Sequence, residues 1–315
     1  MMDGILNVYK EKGYTSHDVV AKLRGILHQK KIGHTGTLDP EAEGVLPVCL
    51  GKATRLCDML TEKDKIYRTV LLLGKETDTQ DMSGQVLCEK NVEVTEEEVK
   101  KAVQSFVGNY HQIPPMYSAL KVNGKKLYEL ARAGKVVERE ARRVTVYEIE
   151  IESIVLPRVS MKVHCSKGTY IRTLCHDIGK KLDCGGSMES LLRTKTGRFS
   201  LEDSLTLSEI ENLQREGRLE QQVISIEEIF RQYPLASVRQ EFDRLVHNGN
   251  PLTLNEVQLY TASKTKMELQ SGEETDMVQP RQKFRVYDSS GQFMGIYQWE
   301  QEKARLKPQK MFLGG

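Results

Sequence analysis

The hydrophobic period of this chain changes between Val159 and Ile178, which rules out an all-helical or an all-β reading of its first part. Val159, Met161, Val163 and Cys165 alternate with Ser160, Lys162 and His164, the period-two pattern of a strand with one buried face. After Gly168, residues Ile171, Leu174, Cys175 and Ile178 fall on one face of a helix. Tyr170 and Arg172 therefore sit near a strand-to-helix junction, where chemistry is often held. Upstream, Val144 to Ile154 reads as a further strand and "YRTVLLLG", Tyr67 to Gly74, as a short buried one.

Helices are marked elsewhere by spacing and caps. Val19, Val20, Leu23, Ile26 and Leu27 predict an amphipathic helix over Ser16 to Leu27. Thr95 and Glu98 form a capping box ahead of Val99, Ala102, Val103 and Phe106, and Gly108 ends that helix. Ser208 with Glu211, and Ser225 with Glu228, predict a helical stretch ending around Tyr233 and Pro234. Beyond it, "FRVYDSSGQFMGIYQW", Phe284 to Trp299, reads as a hairpin around a D-S-S-G turn. Two domains are expected, 1–233 and a small all-β one over 234–315.

Composition sets the outer limits. The chain has 315 residues, 39% hydrophobic and 29% charged, as in ordinary globular proteins. It contains no apolar run long enough to span a bilayer and no signal pattern at the N-terminus, so a cytoplasmic protein without membrane contact is expected. The six cysteines include no C-x-x-C pair and read as reduced thiols. His164, Cys165, Cys175, His176 and Cys184 suggest zinc, but neighbours such as His164 and Cys165 point to opposite faces of a strand, and no metal is expected. Net charge is only +2, yet from Lys121 to Arg143 eight basic residues face three acidic ones. Lys121, Lys125, Lys126, Arg142 and Arg143 are accordingly candidate phosphate contacts, against the alternative of a solvated charged face.

One carboxylate has no evident local partner. "GHTGTLDPEAEGVLP", Gly33 to Pro47, sets Asp39 among glycines and prolines. Gly44 and Gly51 are separated by six residues and Lys52 is followed by Ala53, so the stretch is not a phosphate loop of the G-x-x-x-x-G-K-[ST] kind. "TDTQDMSG", Thr77 to Gly84, lacks the ligand spacing of a calcium loop and reads as a hairpin turn. An aspartyl phosphotransferase would use a lone Asp, but it needs magnesium and a phosphate-binding loop. Pro40 biases Asp39 toward extended backbone, which serves equally an exposed functional carboxylate or a turn in which Asp bonds its own backbone.

Longer blocks extend the comparison. "GHTGTLDPEAEGVLPVCLGKATR" (Gly33 to Arg55) resembles the signature of the TruB family of tRNA pseudouridine synthases. In the family's order follow "DKIYRTVLLLGKETDTQDMSG", "IPPMYSALKVNGKKLYELARAG" and "HCSKGTYIRTL", with "GYTSHDVV" ahead of them. The resemblance covers most of residues 1 to 200, and "NGNP" (Asn248 to Pro251) with the late hairpin resembles a PUA-like RNA-binding barrel.

What the resemblance implies is an α+β protein. It would have a pseudouridine synthase catalytic domain with a mixed, mainly antiparallel sheet and flanking helices, plus a small C-terminal PUA-like β-barrel. The implied reaction isomerises uridine to pseudouridine at position 55 in the tRNA T-loop, without cofactor or metal. Asp39 falls on the family's catalytic carboxylate, Arg172 on the arginine that pairs with it, and Tyr67 on the tyrosine that stacks on the base and is suited to taking the C5 proton. Tyr170 and Leu191 match base contacts, and His34 a histidine that fills the opened T-loop. A monomer binding the tRNA T-stem-loop, with no obligate protein partner, is expected. Nucleophilic and glycal-like paths both stay open, and the competing class is a non-catalytic RNA-binding or tRNA-folding protein. Glu41 and Glu43 stand where relatives commonly carry uncharged residues, and extra negative charge there would raise the Asp39 pKa unless the side chains turn away.

Overall fold

A computed structural model describes residues 1–122, 124–263, 265 and 278–313. The chain divides into two compact units: one of residues 6–49 and 56–219, the other of residues 1–5, 50–55 and 220–315. Residues 220–233 thus belong with the C-terminal unit.

The larger unit is built on a nine-stranded sheet. In chain order its elements are β1 (Gly4–Lys10), α1 (Ser16–Leu27), β2 (Ile32–His34), β3 (Glu43–Leu50), α2 (Cys57–Thr61), β4 (Lys65–Leu73), the small hairpin β5 (Lys75–Thr77) and β6 (Val86–Glu89), α3 (Glu96–Gln104) and β7 (Gly108–Gln112). There follow the two-residue strands β8 (Lys121–Val122) and β9 (Lys125–Lys126), α4 (Leu127–Arg132), β10 (Arg142–Val155), β11 (Arg158–Cys165), α5 (Ile171–Lys181), β12 (Gly186–Thr196), β13 (Phe199–Ser200) and α6 (Leu207–Arg215). The main strand order is β1-β3-β12-β4-β11-β10-β7. β12 runs parallel to β3 and antiparallel to β4, so the sheet is mixed and mainly antiparallel, as expected.

Periodicity and caps located several of these elements. The helix expected over Ser16 to Leu27 has those bounds, with a Thr15–Asp18 capping box before it. The Thr95–Glu98 box caps α3. Along β4, Tyr67, Thr69 and Leu71 are buried on one face, and Tyr67 and Leu71 pack there with Val99 and Val103 of α3 and Leu174 and Ile178 of α5. The box expected at Ser208–Glu211 is instead Thr206–Glu209: the Thr206 hydroxyl accepts from the Glu209 amide, and Ser208 lies inside the helix. Both registers carry the same sequence signature, and burial of Leu207 and Ile210 selects the earlier one. Ser225 does cap a helix, but only the four residues Ile226–Ile229. Among the described residues no helix is long and apolar enough to cross a membrane.

The smaller unit holds a six-stranded sheet around Trp299, Tyr297, Phe284 and Val286. The expected hairpin is present as Lys283–Tyr287 paired with Phe293–Glu300. Its turn is fixed by Asp288, whose carboxylate accepts from the Ser290 and Gln292 amides.

Candidate active site

The loop carrying Asp39 is held from several sides, none of which uses its carboxylate. The Leu38 amide donates to Ser16 Oγ at 2.9 Å, the Ala42 amide to the Asp39 carbonyl at 3.1 Å, and the buried Lys10 ammonium to the Pro40 carbonyl at 3.1 Å. Arg193, from β12, reaches under the loop: Nε donates to the Val45 carbonyl at 2.7 Å and Nη2 to Gly36 at 3.2 Å. Its backbone lies so close to Gly44 that a Cβ there would stand 2.2 Å from the Arg193 carbonyl oxygen, at a φ of +106° that side chains avoid. Gly44→Ala is therefore expected to destabilise the protein by about 3 kcal/mol through backbone strain and overpacking. Urea denaturation checks this, and a change below about 0.5 kcal/mol would contradict the packing.

With the loop held by its backbone, the Asp39 side chain is left for Arg172. This residue, in the first turn of α5 and 5% exposed, meets Asp39 with two nitrogens: Nε lies 3.0 Å from Oδ2 and Nη2 3.4 Å from Oδ1. The rest of its fork is also used, Nη1 donating to the Thr79 carbonyl at 2.9 Å and Nη2 to the Tyr117 carbonyl at 2.7 Å. Nη1 also lies 3.6 Å from the carboxylate of Asp81. Sequence reading missed Asp81, because its segment was legible only as a turn. Thr79 Oγ1, the Ser83 hydroxyl and the Ser83 amide all donate to Asp81 Oδ1, so the second carboxylate is fixed. One guanidinium is thus shared by two acids from separate loops.

The charge balance at Asp39 follows from these contacts. Enclosure by protein raises its pKa above the ordinary carboxylate value, although its side chain keeps 37% exposure. Arg172 acts the other way, Asp81 raises it further and Lys10 lowers it. Pairing with Arg172 therefore favours the ionised form, as expected, but does not outweigh burial. The departure at Glu41 and Glu43 is resolved by their partners: Glu41 pairs with Lys12 at 3.3 Å and Glu43 accepts from the Tyr9 hydroxyl at 3.0 Å. The carboxylate that acts on Asp39 is Asp81.

Asp39 and Arg172 border a cavity of about 650 Å³, whose lining also includes Tyr67, Tyr170, Leu191 and Arg193. β4 and β12 set three of these walls: Tyr67 is the direct cross-strand partner of Arg193, and Thr69 that of Leu191. Tyr170 is clamped by Gln112, which accepts from its amide at 2.8 Å and donates to its carbonyl at 3.0 Å. Burial pushes the Tyr67 phenol up to about 12, with Arg193 acting against that rise. Lys65, Arg142, Arg143 and Lys167 add cations to the lining. Burial pulls Lys65 down to about 8, its ammonium donating to the Thr61 and Lys63 carbonyls.

Not every expected residue converges here. His34 is outside the lining and packs edge-on against His17, with ring centroids 5.4 Å apart; burial, then His17, lowers its pKa. Lys121, Lys125 and Lys126 lie on the small β8–β9 hairpin and are outside the lining, which ends at Leu120 just before it, whereas Arg142 and Arg143 enter it.

A chain of a solved Cbf5-Nop10-Gar1 complex is similar to this one with a TM-score of 0.71 and 26% identity, covering 99% of this chain and 85% of that one. A chain of an H/ACA RNP bound to a substrate RNA containing 2'-deoxyuridine gives a TM-score of 0.69 at 24% identity, which bears on the fold alone. Fold and sheet are those of a pseudouridine synthase. The profile of the TruB family pseudouridylate synthase N-terminal domain matches residues 24–171, and that of the tRNA pseudouridylate synthase B C-terminal domain matches residues 172–231. tRNA pseudouridine synthase B of Lachnoclostridium phytofermentans is 51% identical over 99% of this chain and 100% of its own length. That of Clostridium perfringens strain SM101 is 43% identical over 97% and 98%. The chain belongs to the TruB family of pseudouridylate synthases.

Proposed function

We infer that this protein is a tRNA pseudouridine synthase that isomerises uridine 55 of the T-loop, with Asp39 as the catalytic carboxylate. The observation that carries the reading is the two-nitrogen pairing of Asp39 with the buried Arg172 beside a cavity whose walls suit a single base. A carboxylate fixed by a fork of donors is pre-aimed at the ribose carbon, whether it attacks C1′ or assists a glycal-like path. Tyr67 offers a ring face to the uracil and an oxygen for the C5 proton, and Leu191 and Tyr170 complete the slot.

A T-loop uridine is stacked inside the folded tRNA, so it must be flipped outward to reach Asp39, at a cost of roughly a few kcal/mol. Arg142 and Arg143 in the cavity lining would hold the flanking phosphates, joined by Lys167 once it exchanges its Glu62 partner for phosphate, which offsets that cost. Lys121, Lys125 and Lys126 extend the basic surface along the stem, His34 fills the opened T-loop, and the C-terminal β unit, PUA-like over 234–315, reaches the acceptor stem. The protein acts as a cytoplasmic monomer.

The test is to incubate purified protein with a T-stem-loop transcript in EDTA and map pseudouridine by nucleoside mass spectrometry. Product at position 55 alone is expected. RNA binding without any product would instead favour the non-catalytic RNA-binding class.

A further inference from the structure

Arg193 is a buried cation that no carboxylate acts on among the described residues. It is 1% exposed, its hydrogen bonds go to the neutral carbonyls of Val45, Gly36 and Thr37, and its electrostatic neighbours are the Tyr67 phenol together with Lys10, Lys65 and His34, whose pKa values it helps to lower. Guanidinium does not lose its proton under such conditions, so the site carries a fixed positive charge without a resting anion. Tyr67 lies directly across from it on the neighbouring strand, and both line the Asp39 cavity.

We propose that Arg193 is a positioning residue of the isomerisation: it holds the Asp39 loop by its carbonyls and supplies the positive charge facing the Tyr67 oxygen while that oxygen is transiently ionised. The proposal rests on the reading of Tyr67 as the group that removes the C5 proton. A phenol pushed up to about 12 is protonated at rest, and it must release its own proton to accept another.

The substrate provides the destination. Once C5 has bonded to C1′, the ring carries a surplus hydrogen on C5 and an unprotonated N1, two atoms on either side of C6. The phenol gives its proton to N1, and the electron pair of the C6–N1 double bond forms the new N–H bond. The phenolate then takes the C5 proton, and the C5–H pair becomes the C5–C6 double bond. One proton has moved from C5 to N1, the phenol is restored, and Arg193 has faced the anion in between.

The test compares wild type, Arg193→Met and Arg193→Lys on a T-stem-loop whose target uridine carries hydrogen or deuterium at C5. For Arg193→Met, kcat is expected to fall about 100-fold with KM changed by less than about threefold, the scale of a lost proton-transfer contribution. Its C5 isotope effect should exceed that of wild type, since proton removal becomes slower than the other steps. A slowed variant with an unchanged isotope effect would overturn the proposal, because loop holding alone would then account for the loss.

Should Arg193→Met not fold, Arg193→Lys decides. Buried lysines in this unit, Lys10 and Lys65, are pulled down to about 8, so a lysine at 193 should lose its charge, and the enzyme its rate, as pH rises through that range. Wild type keeps its guanidinium charged there. A Lys variant whose pH profile parallels wild type overturns the proposal, and a wild type that makes no pseudouridine overturns the reading of the site itself.

Discussion

Asp39→Asn is expected to make no detectable pseudouridine, less than about one-thousandth of the wild-type rate, while binding the T-stem-loop with an affinity within about threefold of wild type. The amide keeps the size of the carboxylate and can still accept from Arg172, but it cannot attack C1′ or stabilise positive charge there. RNA affinity should survive because Arg142, Arg143 and Lys167 do not depend on Asp39 for their placement. Unchanged product in this variant would remove Asp39 from the reaction.

The same substitution has a predictable effect on stability. The folded-state pKa of Asp39 is raised, so its ionised form is disfavoured in the fold relative to the unfolded chain. That cost is fully present at pH values above the folded pKa, begins to fade as pH falls through that pKa, and is gone below the ordinary carboxylate value of about 3.9. Asp39→Asn removes it. At pH values above the folded pKa its melting temperature should therefore equal or exceed that of wild type, with the gap closing on acidification. A carboxylate held against its own ionisation is the trade that the proposed catalytic role of Asp39 would entail.

Much of this was legible in the sequence because it depends on local pattern. The helix Ser16–Leu27, the box at Thr95 and the alternation of β11 are set by side chains within a few residues of one another. The Asp39 loop was legible as an open turn. Its partners were not derivable from spacing, since Arg172 lies 133 residues away and becomes a neighbour only when α5 packs on the sheet. Family resemblance supplied Tyr67 and Arg172, but Asp81 and Arg193 had no local signature: one stands in a turn-like segment and the other in a strand between Leu192 and Thr194. What marks them is burial of charge, a property of the assembled fold.

Burial of charge also governs the second large effect, that of Arg172→Met. Methionine fills much of the volume but leaves Asp39 and Asp81 without the guanidinium between them, and the Thr79 and Tyr117 carbonyls without their donors. Breaking a buried ion pair from one side costs about 3–5 kcal/mol; the exposure of Asp39 places this case near the lower figure. Pseudouridine formation should fall at least about 100-fold, as when a fixed donor is removed from a charged site. The pH profile separates charge from shape. In the proposed role Asp39 must be ionised, so activity should be lost as pH falls through its pKa, which enclosure already holds above the ordinary range. Without Arg172 the larger lowering influence is gone, Lys10 alone remains on that side and Asp81 still repels, so the acid limb of the residual activity should move to higher pH. Arg172→Lys restores a charge but not a fork able to reach four acceptors; it should return the limb toward wild type while leaving the rate low. Adding Asp81→Asn to Arg172→Met removes the repulsion and should recover stability without recovering turnover. If the limb stays where it is in Arg172→Met, the guanidinium only ties the loops together and the charge state of Asp39 is set by its enclosure alone.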